Sequence, residues 1–212
     1  MKKKTSSKSL FVTFEGGEGS GKSLQSRILY RRLSKLAIST LLVHEPGSTP
    51  LGERLSRLVK SCRSGSISPT TELLLFNAAR AQLVNMVIRP SLNSGTVVIC
   101  DRYTDSTLAY QGYGRGLKQE LVRSANEIAT GGLKPDLTIL LDVLVCEGLE
   151  RKRNNNTDRF QSEEIAFHER VRRGYLALAR KDPDRFFIID GTMSKQLISQ
   201  TIWQRVNQIL FN

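Results

Sequence analysis

The residues best equipped for chemistry in this chain form one short segment, Gly16-Gly17-Glu18-Gly19-Ser20-Gly21-Lys22-Ser23, which fits G-x-x-x-x-G-K-[ST]. Glycines let the backbone curl so that consecutive N–H groups point at phosphate oxygens, and a following helix adds the positive end of its dipole. Lys22 would neutralise charge on the β and γ phosphates of a bound nucleotide, and the Ser23 hydroxyl would ligate Mg²⁺. A glycine-rich turn can match such a pattern by chance. Here the segment stands between an apolar, strand-like run and a helix-like stretch, the context that the phosphate-loop reading demands. The N-K-x-D and D-x-x-G strings expected of regulatory GTPases do not occur. A small kinase acting on a metabolite is the simplest remaining use of the loop.

Further along, Asp101-Arg102 directly follows an apolar run. A carboxylate there suits Mg²⁺ and its waters, and an arginine can grip a phosphate with a fork of N–H donors that lysine lacks; the alternative is a structural ion pair. Phe76 and Arg80, four residues apart in the helix-like stretch 71–87, share a helix face. A ring there can stack on a pyrimidine while the arginine donates to a base carbonyl, or Phe76 can simply complete the apolar run that begins at Leu73. Arg151, Arg153 and Arg159 flank the polar run Asn154-Asn155-Asn156. A loop bearing several arginines can close over phosphates and meet charge as it develops. Lys152, Arg170, Arg172 and Arg173 read as solvated helix faces, and His44 as a hydrogen-bonded residue at a strand end.

The elements that must position these groups are five apolar runs rich in β-branched residues: Leu10 to Phe14, Thr40 to Val43, Val97 to Cys100, Leu137 to Leu141 and Phe186 to Ile189. Their continuous apolarity suits strands buried on both faces, and the stretches between them read as helices, the first with Leu24, Ile28, Leu33 and Leu36 approximating its inner face. Strand and helix in alternation predict an α/β fold, a parallel sheet flanked by helices, with the ligand site at the carboxyl ends of the strands. Glu15, His44, Asp101, Asp142 and Asp190 collect on that edge.

Taken together, these segments resemble the thymidylate kinases. The order and spacing of Phe14 to Ser23, Glu45-Pro46-Gly47, Phe76 to Arg80, Asp101-Arg102-Tyr103, Ser106 to Gly112, Gly114-Arg115-Gly116, Pro135-Asp136-Leu137, Leu141-Asp142 and Asp158-Arg159 follow that family from Leu10 onward. The resemblance implies a nucleoside monophosphate kinase fold with a five-stranded parallel sheet and a lid around 150–162. It implies transfer of the γ-phosphoryl group of ATP to thymidine monophosphate, with Mg²⁺, in a homodimer. Gly16, Gly17, Glu18, Gly19, Ser20, Gly21, Lys22, Ser23 and Arg151 would then hold ATP, and Ser23 and Asp101 the metal. Glu18, Glu45, Pro46, Phe76, Arg80, Arg102, Ser106, Thr107, Tyr110 and Gln111 would line the acceptor site, with the Glu45-Pro46 bond a candidate for the cis form. Lys22, Asp101, Arg102, Arg153 and Arg159 would carry catalysis. Glutamate at position 18 with an arginine-bearing lid is similar to the bacterial subclass. His44, where relatives commonly have arginine, Asn155 or Asn156 in place of a third lid arginine, and Gln161 depart from the pattern.

Composition bounds the rest. A formal charge of +12 attracts anions of every kind, but the basic residues are scattered, with Lys2 to Lys4 forming an unbroken run in what reads as a frayed tail over 1–9. No clustered basic stripe with interleaved aromatics speaks for nucleic acid. No apolar run approaches the roughly 18 residues that span a bilayer, and the amino terminus lacks a secretory signal's hydrophobic stretch, so a cytoplasmic enzyme with residues 10–212 as one domain is expected. Cys62, Cys100 and Cys146 lack metal-ligand spacing and read as reduced passengers.

Overall fold

A computed structural model describes residues 9–61, 66–152, 160 and 163–211. Five parallel strands, β1 (Leu10–Glu15), β2 (Thr40–His44), β3 (Val97–Asp101), β4 (Leu137–Asp142) and β5 (Phe186–Asp190), form one sheet in the order β2-β3-β1-β4-β5. Each strand runs one residue past its apolar stretch, because main-chain pairing continues through the polar terminus: Phe14 pairs with Asp101, Glu15 with Leu140, His44 with Asp101, and Asp142 with Asp190. Burial on both faces holds for β1, β3 and β4. The edge strands β2 and β5 are partly exposed, a correction that follows from their having one neighbour each.

Nine α-helices cover the sheet among the described residues: α1 (Lys22–Lys35), α2 (Pro50–Ser61), α3 (Pro69–Leu83), α4 (Arg89–Asn93), α5 (Thr104–Thr107), α6 (Gln119–Thr130), α7 (Val145–Lys152), α8 (Ile165–Lys181) and α9 (Lys195–Phe211). Ser68 caps α3 by accepting the Thr71 N–H at 3.1 Å, and Pro69 sits where a missing N–H costs nothing. Two π-type segments, Val84–Ile88 and Leu108–Gly114, widen the helical path after α3 and α5. Such widened turns recur at functional sites.

Leu10, Val12 and Phe14 of β1 face a core shared with Leu29 and Leu33 of α1 and Ile198, Ile202 and Val206 of α9. Phe11 faces the opposite core with Leu83, Val84, Ile88 and Tyr103. Alternation then places Thr13 and Glu15 on the Phe11 side. The inner face of α1 differs from expectation: Leu24 and Leu36 are exposed, whereas Gln25 and Ser26 are buried with Leu29 and Leu33. Gln25 can be buried because its amide donates to the Lys195 carbonyl at 3.0 Å, a partner far away in sequence. Among the described residues no helix is long and apolar enough to cross a membrane. Cys100 is buried and Cys146 exposed, both as free thiols; Cys62 lies outside the described residues.

Candidate active site

The sheet order makes β1 the strand where chain connections turn from one side to the other, and a ligand crevice opens at the carboxyl end of such a strand. The loop leaving β1 fills it. Gly16, Gly19 and Gly21 take φ values of 140°, 68° and 94°, which side chains rarely tolerate. A Cβ on Gly19 would strike the Gly148 backbone of α7, and one on Gly148 would strike the Glu18 carbonyl, so loop and helix meet backbone to backbone. Lys22 opens α1 and folds over the loop, its Nζ donating to the Gly17 carbonyl at 2.6 Å and the Ser20 hydroxyl at 3.1 Å. Burial and the adjacent Arg102 charge push the Lys22 ammonium down to about 7, against the pull of Glu18 and Asp101. A bound phosphate chain would restore its charge.

Ser23 Oγ donates to Asp101 Oδ2, so the two expected metal ligands touch. Two hard oxygens beside a phosphate loop fit Mg²⁺, which keeps several waters and takes its other ligands from phosphates; no cluster of three or more acidic, His or Cys ligands occurs among the described residues. A wide cleft runs past Gly19, Gly21, Lys22, Ser23, Asp101 and Arg151. Arg151 at the end of α7 donates to the Gly191 carbonyl at 2.9 Å, tying that helix to the turn after β5.

A second cleft is lined by Glu18, Glu45, Pro46, Phe76, Arg80, Arg102, Ser106, Thr107, Tyr110, Gln111 and Phe160. Every acceptor-site residue expected from the sequence is on that wall; Phe160 is the addition. Phe76 is half-buried rather than core, its ring 5.9 Å from Phe160. Arg80 is buried and held by Glu45 at 2.6 Å, the Asn126 side chain at 2.8 Å, the Tyr103 carbonyl at 3.1 Å and Asn77 at 3.3 Å. Burial raises Glu45 and Arg80 offsets it in part, while Glu45 Oε1 is left buried without a hydrogen bond. The Glu45-Pro46 bond is cis. Gln111 donates to Glu72 at 2.7 Å.

Glu18, Glu45 and Arg102 line both clefts. Arg102 Nη2 donates to Glu18 Oε1 at 2.7 Å and the Tyr110 hydroxyl at 3.2 Å. On the other side of Glu18, Lys152 Nζ lies 2.5 Å from Oε2. Lys152 is therefore an ion-pair partner of the site rather than a solvated residue, a correction that arises because the Gly19–Gly148 contact brings α7 onto the loop. Burial alone would raise the Glu18 pKa, but Arg102, Lys22 and Lys152 outweigh it and hold the carboxyl far below the usual range. Arg172 is likewise paired, through two bonds of 2.7 and 2.8 Å to Asp142. His44 bonds Ser48 Oγ at 3.0 Å and approaches Glu53 at 3.2 Å; it lines the wide cleft and not the second one. Arg153, Arg159, Asn155, Asn156 and Gln161 lie outside the described residues.

Tyr175 and His168 of α8 were not expected near the site. Tyr175 hydrogen-bonds within the loop's polar neighbourhood at 2.8 to 3.2 Å, and His168 packs on Phe167 and bonds the Phe160 backbone. Both sit on a helix whose apolar spacing gave no hint of them.

A family model described as thymidylate kinase matches residues 14–202. A thymidylate kinase of Dehalococcoides mccartyi is 52% identical over 202 residues, spanning 95% of this chain and 98% of its own. One of Desulfovibrio desulfuricans is 53% identical over 191 residues, 86% of this chain and 88% of its own. The crystal structure of thymidylate kinase from Ehrlichia chaffeensis superposes with a TM-score of 0.77 at 32% identity, covering 93% of this chain and 98% of that one. The family model over residues 14–202, the relatives at 52–53% identity and the superposable solved structure together show that this chain belongs to the thymidylate kinase family.

Proposed function

We propose that the chain transfers the γ-phosphoryl group of ATP to thymidine monophosphate, giving ADP and the diphosphate. The observation that carries this is the junction of the two clefts at Glu18 and Arg102, which lets a phosphate from each side meet beside Lys22. ATP lies along the loop 16–23, with Arg151 near its base end. The acceptor base lies by Phe76 and Arg80, its sugar by Glu18 and its phosphate by Arg102. A phosphate oxygen is already an adequate nucleophile at neutral pH, so positioning and charge neutralisation carry the reaction. Lys22, Arg102 and the lid residues Arg153 and Arg159 meet the charge; Tyr110, Gln111, Ser106, Thr107, Glu45 and Pro46 shape the pocket. Mg²⁺, held by Ser23 and Asp101 with waters, would screen the β and γ oxygens.

Residues 10–212 act as one P-loop kinase domain, residues 1–9 as a basic tail, and the enzyme works in the cytoplasm as a homodimer. Exposed Leu58, Leu74, Met86 and Ile128 on α2, α3, the π-type segment after α3 and α6 support self-association. Sedimentation equilibrium checks it, a monomer at micromolar concentration being the contrary result. The activity itself is tested by ADP production against a panel of nucleoside monophosphates. Thymidine monophosphate is expected to give the highest kcat/KM, and a higher value for another acceptor would overturn the assignment.

A further inference from the structure

Arg102 is the most heavily coordinated side chain of the site, and its backbone is as unusual as its head group. Its φ is 72°, in the left-handed region that a bulky side chain rarely enters. Such strain persists only where the surroundings over-determine it. Here the Arg102 N–H donates to the Phe14 carbonyl at 3.0 Å, and the next amide, that of Tyr103, donates to Glu15 Oε1 at 2.7 Å. The carboxylate thus catches the peptide that the left-handed turn rotates inward.

The other oxygen of Glu15 faces the arginine's partners. Ser106 Oγ donates to Oε2 at 2.6 Å and Tyr175 Oη at 3.1 Å, with the two hydroxyls 2.8 Å apart. Arg102 Nη1 points at both hydroxyls, 3.2 Å from each. A hydroxyl has one proton. Since the carboxylate draws the Ser106 and Tyr175 protons toward itself, both oxygens turn lone pairs to the guanidinium. Glu15 is fully buried, and burial with the facing Asp105 pushes it up to about 7 against the pull of the Ser106 bond, Arg102 and the Tyr103 amide, so the orientation described belongs to its ionised form; Arg80 also faces it, and Asp105 is paired with Arg185 at 2.6 Å.

We propose that Glu15 is a positioning residue for the transfer: through the Tyr103 amide it holds the strained turn at Arg102, and through the Ser106 and Tyr175 hydroxyls it aims the guanidinium at the acceptor phosphate. This rests on the assignment of that phosphate to Arg102. Glu15 touches neither cleft and is not a catalytic residue. Tyr175 reaches from α8, so the helix that follows the lid takes part in orienting the acceptor.

The test is a set of double-mutant cycles on acceptor affinity and steady-state kinetics, using thymidine monophosphate and ATP with the full chain. Tyr175→Phe removes one lone-pair donor with little change of shape and should raise the acceptor KM and Kd about two- to tenfold, leaving the ATP KM unchanged. Glu15→Gln keeps an acceptor for the Tyr103 amide but turns an NH₂ toward the hydroxyls, reversing their orientation, and should cost more than Tyr175→Phe. In an Arg102→Ala background both penalties should disappear, because the group they position is gone. Full penalties persisting in that background, accompanied by lower melting temperatures, would show that Glu15 only supports the fold. An Arg102→Ala protein with normal acceptor affinity would overturn the phosphate assignment and the inference with it. Should Glu15→Gln fail to fold, Tyr175→Phe, which keeps the carboxylate, decides the matter alone.

Discussion

At the scale of single residues, Phe76 carries the plainest expectation. Half-buried, it lines the second cleft beside Phe160 and packs on the edge of the core that contains Phe160. Base-on-aromatic stacking contributes about 1–3 kcal/mol, and it is present in ground and transition states alike. Phe76→Ala should therefore raise the acceptor KM by roughly five- to a hundredfold with kcat little changed. An unchanged KM with a lost melting transition would return the ring to a packing role. Glu18 is a second case. Its carboxylate stays ionised between three cations and can accept a hydrogen bond from the acceptor's 3′-hydroxyl. Removing that hydroxyl from the nucleotide should penalise the wild type more than Glu18→Gln; equal penalties count against the contact. His168 has a pH signature. Burial lowers its pKa below the usual 6.5, so its contribution to stability is complete above pH 6.5 and is lost as the pH falls toward the folded value. Melting temperatures measured from pH 7.5 to 5 should drop more steeply for the wild type than for His168→Gln.

At the scale of elements, the close approach of α7 to the phosphate loop is the feature on which the site depends. Gly148→Ala places a methyl against the Glu18 carbonyl, and overpacking of that kind costs typically 1–3 kcal/mol. We expect a lower melting temperature and weaker ATP binding together, whereas Gly116→Ala, whose Cβ meets nothing, should cost only the strain of its φ of 78°. Beyond α7, Arg153→Ala with Arg159→Ala should lower kcat by about a hundred- to a thousandfold while each KM moves less, the mark of donors aimed at developing charge. A double variant with near-normal kcat would leave Arg102 to supply that charge.

The strands and the loop between β1 and α1 were legible because their signals are local: a continuous apolar run, then glycines, then Lys22 and Ser23. That Glu18, Glu45, Pro46, Phe76, Arg80, Arg102, Ser106, Thr107, Tyr110 and Gln111 come together on one cleft was legible through the ordered motifs that carry the family resemblance, not through periodicity; on spacing alone Phe76 reads first as a core residue. What stayed hidden depends on partners distant in sequence. Lys152 reads as solvated until Gly148 is seen against Glu18, 130 residues earlier. Gln25 reads as exposed until the Lys195 carbonyl appears beside it. Tyr175 sits among apolar neighbours on α8 and reveals its role only when β1 delivers Glu15 to its hydroxyl.

At the scale of the whole molecule, Glu18, Glu45 and Arg102 are a party wall between the two clefts rather than a barrier. One consequence concerns ligands that nature does not supply. A single compound carrying adenosine at one end and thymidine at the other, joined by a phosphate chain, would find its second half already confined beside the second pocket, at an effective concentration in the millimolar range for a short flexible tether. It should raise the melting temperature more than ATP and thymidine monophosphate together at equal concentration, with an optimum in tether length. Because the wall is built of charged side chains rather than packed core, that optimum would act as a molecular ruler for the distance the phosphoryl group must cross.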